Sequence, residues 1–181
     1  MNKEQTYEFL KASGVSFEIT EHGAVFNMED LKGEALPYPD RMAKNLFVRD
    51  EKKRNYYLIT VKEDRQVNLK AFRKAHGLKN LSFASPEDLK AILDLTPGSV
   101  TPLGALNDGS VQVVWYLDAA LADGLIGVHP NDNTATVWVQ AADLVKLLKR
   151  WYKSIEIVEM EEPVPAAEPA AEEAAAAGQA E

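Results

Sequence analysis

Hydrophobic and polar positions alternate along the first 160 residues with two periods, one typical of helices and one typical of strands. Apolar residues at helical spacing predict helices over residues 2–13, 68–76, 85–94 and 143–153. Alternating or continuous apolar runs predict strands over residues 15–20, 45–49, 56–61, 81–85, 111–117, 125–129 and 134–139. Six or seven strands with interspersed helices predict a mixed α/β domain.

Residues 161–181 follow neither period. They hold six Glu and no Lys or Arg, together with three Pro and many Ala. Such a segment cannot bury enough apolar surface to offset the entropy of ordering it. We therefore predict one folded domain over residues 1–160 and a disordered tail rich in Ala, Glu and Pro over residues 161–181.

The acidic tail dominates the net charge of the chain, and the charge of the remaining residues is unevenly distributed. The net charge is −8, and the tail contributes −6 of it, which leaves −2 for the domain. Residues 41–79 carry twelve basic and four acidic side chains, so this window is +8. A basic stretch in an acidic protein indicates a surface for a polyanion. The alternative is a solvated face whose charges folding scatters.

Composition excludes several classes of protein. The chain has no Cys, and its three His are far apart in sequence, so disulfides, thiolate zinc sites and a histidine-rich metal site are not expected. No apolar run reaches the roughly 20 residues of a membrane span. The first residues lack an apolar signal core, which favours the cytoplasm. Phosphate-binding glycine motifs are absent, so no cofactor is predicted.

Three short segments remain as candidates for chemistry. Lys44 opens a strand, where its ammonium can reach a cavity between sheet and helix, although a surface lysine is the alternative. Residues 98–102 form a Gly-x-x-x-Pro loop whose free N–H groups suit an anion, or else a simple connection. His129 ends a strand and is suited to donate to a substrate carbonyl or a ribose, unless it is only a turn residue.

Taken in order, the motifs resemble one family. They are Lys44-Asn-Leu-Phe, Arg54-Asn-Tyr-Tyr-Leu, Leu81-Ser-Phe-Ala-Ser, Pro97-Gly-Ser-Val-Thr-Pro and His129-Pro-Asn. This series is similar to the YbaK/ProX family of trans-editing aminoacyl-tRNA deacylases, and within it to the branch that edits prolyl-tRNA. The resemblance covers about residues 1–160 and leaves out the tail.

The resemblance implies a fold and an activity. The implied fold is a mixed, mostly antiparallel sheet of six or seven strands, curled into a partial barrel with flanking helices. The implied activity is hydrolysis of the ester in alanine wrongly attached to proline tRNA. Editing of Cys, Ser or Thr, a non-catalytic module that binds aminoacyl-tRNA or a synthetase, and an anion-binding domain unrelated to tRNA stay as alternatives.

The resemblance also assigns roles to residues. The implied catalytic residues are Lys44, Asn45 and His129, with water attack assisted by the ribose hydroxyl of the substrate. The implied substrate-binding residues are Gly98, Ser99, Val100, Thr101, Pro102 and Asn131. Charge adds a predicted tRNA-binding set: Arg41, Lys52, Lys53, Arg54, Arg73 and Lys74. The expected partner is the acceptor end of aminoacyl-tRNA, docking on prolyl-tRNA synthetase stays open, and neither DNA nor a membrane is expected.

Overall fold

Two β-sheets frame the computed structural model, which describes residues 1–24, 35–107 and 111–161. The strands are β1 (Phe17–Glu21), β2 (Ala43–Asp50), β3 (Tyr56–Lys62), β4 (Leu81–Phe83), β5 (Val111–Asp118), β6 (Leu125–Val128), β7 (Ala135–Gln140) and β8 (Tyr152–Val158). The α-helices are α1 (Lys3–Ala12), α2 (Leu69–Ala75), α3 (Pro86–Leu93), α4 (Ala119–Ala122) and α5 (Ala141–Leu148). Two short 3₁₀ helices span Pro39–Arg41 and Pro102–Leu106.

The smaller sheet has three strands in the order β1-β7-β6, all antiparallel. The larger sheet has the order β4-β2-β3-β5-β8, in which β5 runs parallel to both β3 and β8. A parallel bridge between Met42 and Gly127 joins the two sheets where β2 begins. The strands are thus mostly antiparallel, as predicted, since four of the six pairings between the described strands are antiparallel.

Local sequence signals explain where the helices begin. Asn2 caps α1 through the backbone N–H of Gln5, whose side chain bonds back to Asn2. Ser85 and Asp88 form the same reciprocal pair at α3. Asn68 accepts from two backbone N–H groups at the start of α2. These three helices confirm the predictions made from the sequence.

The predicted strand count and the last helix differ from the structure. The described residues hold eight strands in two sheets rather than six or seven in one, and they form no closed barrel. The predicted helix over residues 143–153 ends at Leu148, and the chain then enters β8. β8 is an edge strand with one buried residue of seven. Its apolar alternation is the short run Ile155-Glu-Ile157, which is too brief to mark a strand against the helical spacing of Leu148 and Trp151.

The two faces of the five-stranded sheet pack against separate hydrophobic cores. The large core lies on the face that carries Phe47, Leu58 and Trp115. The small core lies on the other face, where Val48, Tyr57, Ile59, Val61, Tyr116 and Met160 pack with Phe72 of α2. The burial of Met160 places the last described residues against α2, while residues 162–181 of the predicted tail lie outside the described residues. No helix in the described ranges is long and apolar enough to cross a bilayer.

Candidate functional site

Lys44 and Asn45 are neighbours on β2, and their side chains lie on opposite faces of the sheet. Lys44 pairs with Val61 of the small core, and Asn45 pairs with Thr60 on the face of the large core. Successive side chains on a strand alternate between faces, which fixes this separation. The predicted pair of catalytic residues therefore divides between two environments.

Asn45 is held by a buried chain of hydrogen bonds. The indole Nε1 of Trp115 donates to Thr60 Oγ1 at 2.8 Å, and this hydroxyl donates to Asn45 Oδ1 at 2.7 Å. Thr60 and Trp115 are fully buried. The Nδ2 group of Asn45 has no hydrogen-bond partner within the described ranges. The chain thus presents a fixed amide N–H₂ group, which is suited to a carbonyl oxygen of a substrate.

Lys44 has a looser environment on the other face. Its half-buried ammonium donates to the backbone carbonyl of Arg65, between β3 and α2. Burial lowers the pKa of Lys44, whereas the neighbouring Asp64 and Glu63 act in the opposite direction. Burial raises the pKa of Glu63, because it disfavours the charged form of a carboxyl group just as it disfavours the ammonium of Lys44. A partly desolvated ammonium interacts more strongly with an anion than one in open water.

The Gly-x-x-x-Pro loop at residues 98–102 is a fixed element. The Ser99 hydroxyl donates to the Thr96 carbonyl at 2.8 Å, and Thr101 Oγ1 accepts from the Leu103 N–H. The Pro102 carbonyl accepts from the buried Tyr152 hydroxyl at 2.8 Å.

The side chains of Ser99 and Thr101 are therefore engaged within the protein, and the loop offers its backbone instead. Gly98 has φ +90°, a conformation that glycine adopts without strain. The N–H groups of the half-buried Gly98 and Val100 donate to no residue in the described part of the chain. Such free N–H groups are suited to an anion or to a developing oxyanion.

His129 is 9% exposed, and its protonation state follows from its contacts. Nδ1 lies 2.9 Å from the Ala135 carbonyl, which only accepts, so Nδ1 carries the proton. Burial lowers the pKa of His129, which keeps the ring neutral near pH 7. Nε2 is then an acceptor without a partner in the described ranges. This corrects the predicted role of His129 as a donor, because the free nitrogen accepts from a hydroxyl.

A second histidine, missed in the sequence, lies beside His129. The rings of His22 and His129 have centroids 6.1 Å apart. His22 Nε2 lies 3.0 Å from Thr136 Oγ1, and its Nδ1 lies 2.8 Å from the Gly23 carbonyl. The two histidines are more than one hundred positions apart, so only the pairing of β1 with β7 brings them together.

Asn131, predicted to bind substrate, holds the local fold through its Nδ2 group, while its buried Oδ1 has no hydrogen-bond partner in the described ranges. Its φ of +63° is typical of Asn in a tight turn. Its Nδ2 donates to Thr6 Oγ1 at 3.2 Å and to Asn107 Oδ1 at 3.3 Å. These bonds connect the turn before β7 to α1 and to the end of the Pro102–Leu106 helix, so the donors of Asn131 are already engaged.

Arg41, predicted to bind tRNA, is likewise engaged within the protein. Its guanidinium donates to the backbone carbonyls of Leu125 at 2.5 Å, Ala120 at 3.2 Å and Leu121 at 3.3 Å, and also to that of Asp123. These carbonyls end α4 and begin β6. Arg41 therefore holds this turn in place, and its contact with tRNA stays a prediction.

The other predicted tRNA-binding residues lie away from Lys44. Lys52, Lys53 and Arg54 are exposed in the turn between β2 and β3. β2 ends six residues after Lys44, which places the start of this turn roughly 20 Å away at 3.3 Å per residue. Arg73 and Lys74 lie in the last turn of α2, and the chain following α2 returns to the hairpin turn through the bond from Glu51 N–H to the Asn80 carbonyl.

The predicted residues divide among the two cores and the far end of β2. The face of β2 that bears Asn45, the loop at residues 98–102 and the end of β6 before His129 border the large core. Lys44 borders the small core, and the basic turn lies at the far end of β2. Thr60, Trp115 and His22 join the site through long-range contacts that no local sequence motif indicates.

Comparison with known proteins gives the family of this chain. A model of the aminoacyl-tRNA editing domain matches residues 22–147. The prolyl-tRNA editing protein ProX of Acetoanaerobium sticklandii is 37% identical over 147 residues, a match that covers 79% of this chain and 90% of that protein. The prolyl-tRNA synthetase associated domain-containing protein 1 of Mus musculus is 35% identical over 146 residues, covering 77% and 85%.

A solved structure described as a proposed trans-editing enzyme for prolyl-tRNA synthetase has the same fold. It superposes with a TM-score of 0.68 at 17% identity and covers 90% of this chain and 99% of that chain. Together with the sequence matches, this likeness confirms the resemblance found in the motifs. The chain belongs to the family of aminoacyl-tRNA editing domains and is a homologue of the prolyl-tRNA editing protein ProX.

Proposed function

We propose that this protein hydrolyses alanine from proline tRNA in trans. The observation that carries the proposal is the Asn45 amide, held by Thr60 and Trp115 with its donors free, in a chain that matches ProX over 90% of that relative. An ester carbonyl is the group that such a fixed N–H₂ would bind.

The size of the amino acid explains why a second enzyme is needed. A synthetase pocket built for proline admits the smaller alanine, because one or two methylenes discriminate by only about 1–3 kcal/mol each. A separate, smaller pocket reverses this preference for amino acids, since it admits alanine and excludes proline. We assign this pocket to the region bordered by Asn45, the loop at residues 98–102 and His129.

Each group then has a defined chemical role. Water adds to the ester carbonyl carbon, the bond from that carbon to the ribose oxygen breaks, and a proton moves to the ribose oxygen. Asn45 Nδ2 and the free N–H groups of the loop stabilise the negative charge that develops on the carbonyl oxygen. His129 Nε2 accepts from the terminal ribose hydroxyl, which itself assists the attack of water.

Lys44 can act on the substrate only when its ammonium exchanges its hydrogen-bond partner within the protein for one on the tRNA. Its ammonium leaves the Arg65 carbonyl and binds a phosphate oxygen of the terminal nucleotide. The exposed basic residues of the hairpin turn and of α2 bind phosphates farther along the acceptor stem. This electrostatic part of tRNA binding should weaken with salt.

The remaining assignments complete the proposal. The catalytic domain comprises residues 1–160, and the acidic tail lies outside it. The protein acts in the cytoplasm, on tRNA released by prolyl-tRNA synthetase, with which relatives are associated by name. Because Lys44 lies on the face opposite Asn45, a module that binds aminoacyl-tRNA without hydrolysis is the second candidate.

Hydrolysis of a panel of aminoacyl-tRNAs tests the proposal. Purified protein should deacylate Ala-tRNA(Pro) and spare Pro-tRNA(Pro), with Cys-, Ser- and Thr-tRNAs as the competing substrates. Equal rates on alanyl and prolyl forms would overturn the size argument. Binding of Ala-tRNA(Pro) without hydrolysis would favour the non-catalytic module.

A further inference from the structure

A groove of about 330 Å³ lies over the open part of the five-stranded sheet, on the face of the small core. The short helix α2 packs Phe72 against this face and leaves the region over β5 and β8 uncovered. Tyr57, His76, Val114, Tyr116, Ser154 and Glu156 line the groove. It lies on the face opposite Asn45, and none of the roles proposed above uses it.

Two phenols lie at the groove with hydroxyl groups that have no hydrogen-bond partner within the described ranges. Tyr57 and Tyr116 are only 8% and 7% exposed, and their ring centroids are 6.1 Å apart. Burial raises the pKa of both phenols, so both hydroxyls keep their protons and act as donors. Both phenol oxygens are accessible at the groove although the rings are largely buried, so the two hydroxyls are available to donate to a ligand.

The groove also has a planar, aromatic side. The half-buried ring of His76 lies 5.0 Å from the Tyr116 ring and 4.4 Å from the Phe72 ring, measured between centroids. A flat molecule that enters beside His76 meets aromatic surface and the two phenol hydroxyls together. Sheets that bind single-stranded RNA use aromatic side chains in this way.

Basic groups surround the groove. The exposed Lys153 lies on its rim, and Asn55, also on the rim, directly follows Arg54 of the hairpin turn. Arg73 and Lys74 lie within three residues of His76 in the last turn of α2. Among the described residues, Glu156 is the one carboxylate that lines the groove. The surroundings therefore favour a ligand that carries phosphate next to its planar part.

We propose that this groove binds one unpaired nucleobase of RNA, while the basic residues around it hold the adjoining phosphates. The phenol hydroxyls of Tyr57 and Tyr116 donate to acceptor atoms on the edge of the base, and His76 contacts its plane. The inference rests on the proposed function, since it extends the tRNA surface to a nucleotide outside the catalytic pocket. A free mononucleotide offers the same chemistry as a base in a strand.

Binding of short labelled RNA, followed by fluorescence anisotropy, tests the groove. The double variant Tyr57→Phe/Tyr116→Phe removes both hydroxyls and keeps both rings. It should weaken binding of single-stranded RNA by roughly tenfold. Ser154→Phe, which fills the groove, should weaken it as well. Binding of a blunt RNA duplex should not change in either variant. Tyr7→Phe, whose hydroxyl donates to Glu21 on a distant surface, is the matched control.

Competition with AMP distinguishes the two sources of the base. AMP that displaces the strand only at far higher concentration assigns the groove to a nucleotide within RNA, and AMP that binds as tightly as the strand assigns it to a free nucleotide. Wild-type affinity of both groove variants for single strands would overturn the inference. An equal loss for strand and duplex would also overturn it, because that pattern indicates phosphate contacts alone.

Two parallel measurements separate this inference from the proposed function. If the wild-type protein hydrolyses Ala-tRNA(Pro) and the double variant binds single strands normally, the groove inference fails alone. If the wild-type protein hydrolyses nothing but binds single strands through the two phenols, the proposed function fails alone. Loss of prolyl-tRNA synthetase binding in the double variant, with RNA binding intact, would replace RNA by a protein partner. The melting temperature of each variant checks that it folds.

Discussion

The two faces of β2 hold their polar groups in different ways. On the face of the large core, Asn45 is fixed by a hydroxyl and an indole that are both fully buried. On the face of the small core, Lys44 has a backbone carbonyl as its partner and two acidic neighbours at a distance. The Asn45 amide is therefore set in position before any substrate arrives, while the Lys44 ammonium must exchange one partner for another.

This difference suits the two groups to different tasks: the Asn45 amide to positioning the reacting ester, and the Lys44 ammonium to attracting an anionic substrate. A fixed donor stabilises a transition state because it needs no reorganisation when charge develops. A flexible ammonium is better suited to capture an anion, because it adapts to the geometry of a phosphate. We therefore expect substitutions on the Asn45 face to change the rate of the chemical step and substitutions in the basic turn to change capture of the substrate. Loss of Lys44, which holds the terminal nucleotide, should change turnover as well as capture.

The largest expected effect is that of Asn45→Ala. Loss of a donor to a developing oxyanion lowers kcat by about 10²–10³-fold. Single-turnover hydrolysis of Ala-tRNA(Pro) measures this loss. The melting temperature should also fall, because the fully buried Thr60 hydroxyl loses its acceptor at a cost of about 1–3 kcal/mol. Gln112→Ala, at an exposed position of β5, is the amide control. A kcat near that of the wild-type protein would show that the fixed face does not carry the chemistry.

Lys44→Ala should give the next largest effect. We expect turnover to fall by about tenfold even with saturating tRNA, because the reacting ester is held out of place. Stability should be nearly unchanged, since the ammonium bonds a backbone carbonyl rather than a buried charge. Lys44→Arg should restore part of the turnover if a charge is what the substrate requires. A normal rate in Lys44→Ala would remove Lys44 from the site.

Thr60→Val tests whether Asn45 acts only when its neighbours hold it. The variant leaves the Trp115 N–H buried without a partner, which costs about 1–3 kcal/mol of unfolding free energy. We expect kcat to fall by about tenfold while KM stays constant. Thr60→Ser keeps the hydroxyl and should recover most of both losses. Recovery of stability without recovery of kcat would reduce Thr60 to a purely structural residue.

The lowered pKa of His129 predicts that the stability of the fold depends moderately on pH. Folding lowers the pKa of His129 below the value of 6.5 expected in the unfolded chain. The unfolded chain thus takes up a proton first, and stability falls as the pH drops from about 6.5 toward the folded pKa. Melting curves over this window should be flatter for His129→Gln than for the wild-type protein. An equally steep decline in the variant would assign the effect to another group.

The smallest effects are expected in the basic turn. Lys52→Ala and Lys53→Ala should each lower the slope of log affinity against log salt by about one, because each removes a cation that neutralises one phosphate. Turnover at saturating tRNA should stay constant, because the turn is roughly 20 Å from Lys44 along β2. Lys11→Ala, on α1, is the matched control. A change in turnover would mean that this end of β2 takes part in the chemistry.

The sequence predicted most elements because each carried its own local signal. Ser85 with Asp88 marked α3, and the apolar runs around residues 51–55 marked the hairpin of β2 and β3. β8 carried only a weak signal, the short alternation Ile155-Glu-Ile157, because one of its seven residues is buried. The junction between the two sheets depends on the bridge at Met42, which no local pattern encodes.

The candidate site divides in the same way. Lys44, Asn45, the loop at residues 98–102 and His129 belong to contiguous motifs, so the sequence could name them. Their orientation could not be named, because it depends on register and on distant partners such as Thr60 and Ala135. Arg41 shows what a count of charges along the sequence leaves out, since its guanidinium donates to four backbone carbonyls in the fold.

The hydrogen bond of Trp115 makes this indole a built-in optical probe. Two successive hydrogen bonds, through the Thr60 hydroxyl, connect its Nε1 to the side-chain amide of Asn45 that carries the free N–H₂ group. Indole emission responds to the polarity and hydrogen bonding of its surroundings, so occupation of the Asn45 amide should be visible in the fluorescence of a variant that keeps Trp115 alone. Substrate arrival at the fixed face would then be followed in real time, without a label on protein or RNA.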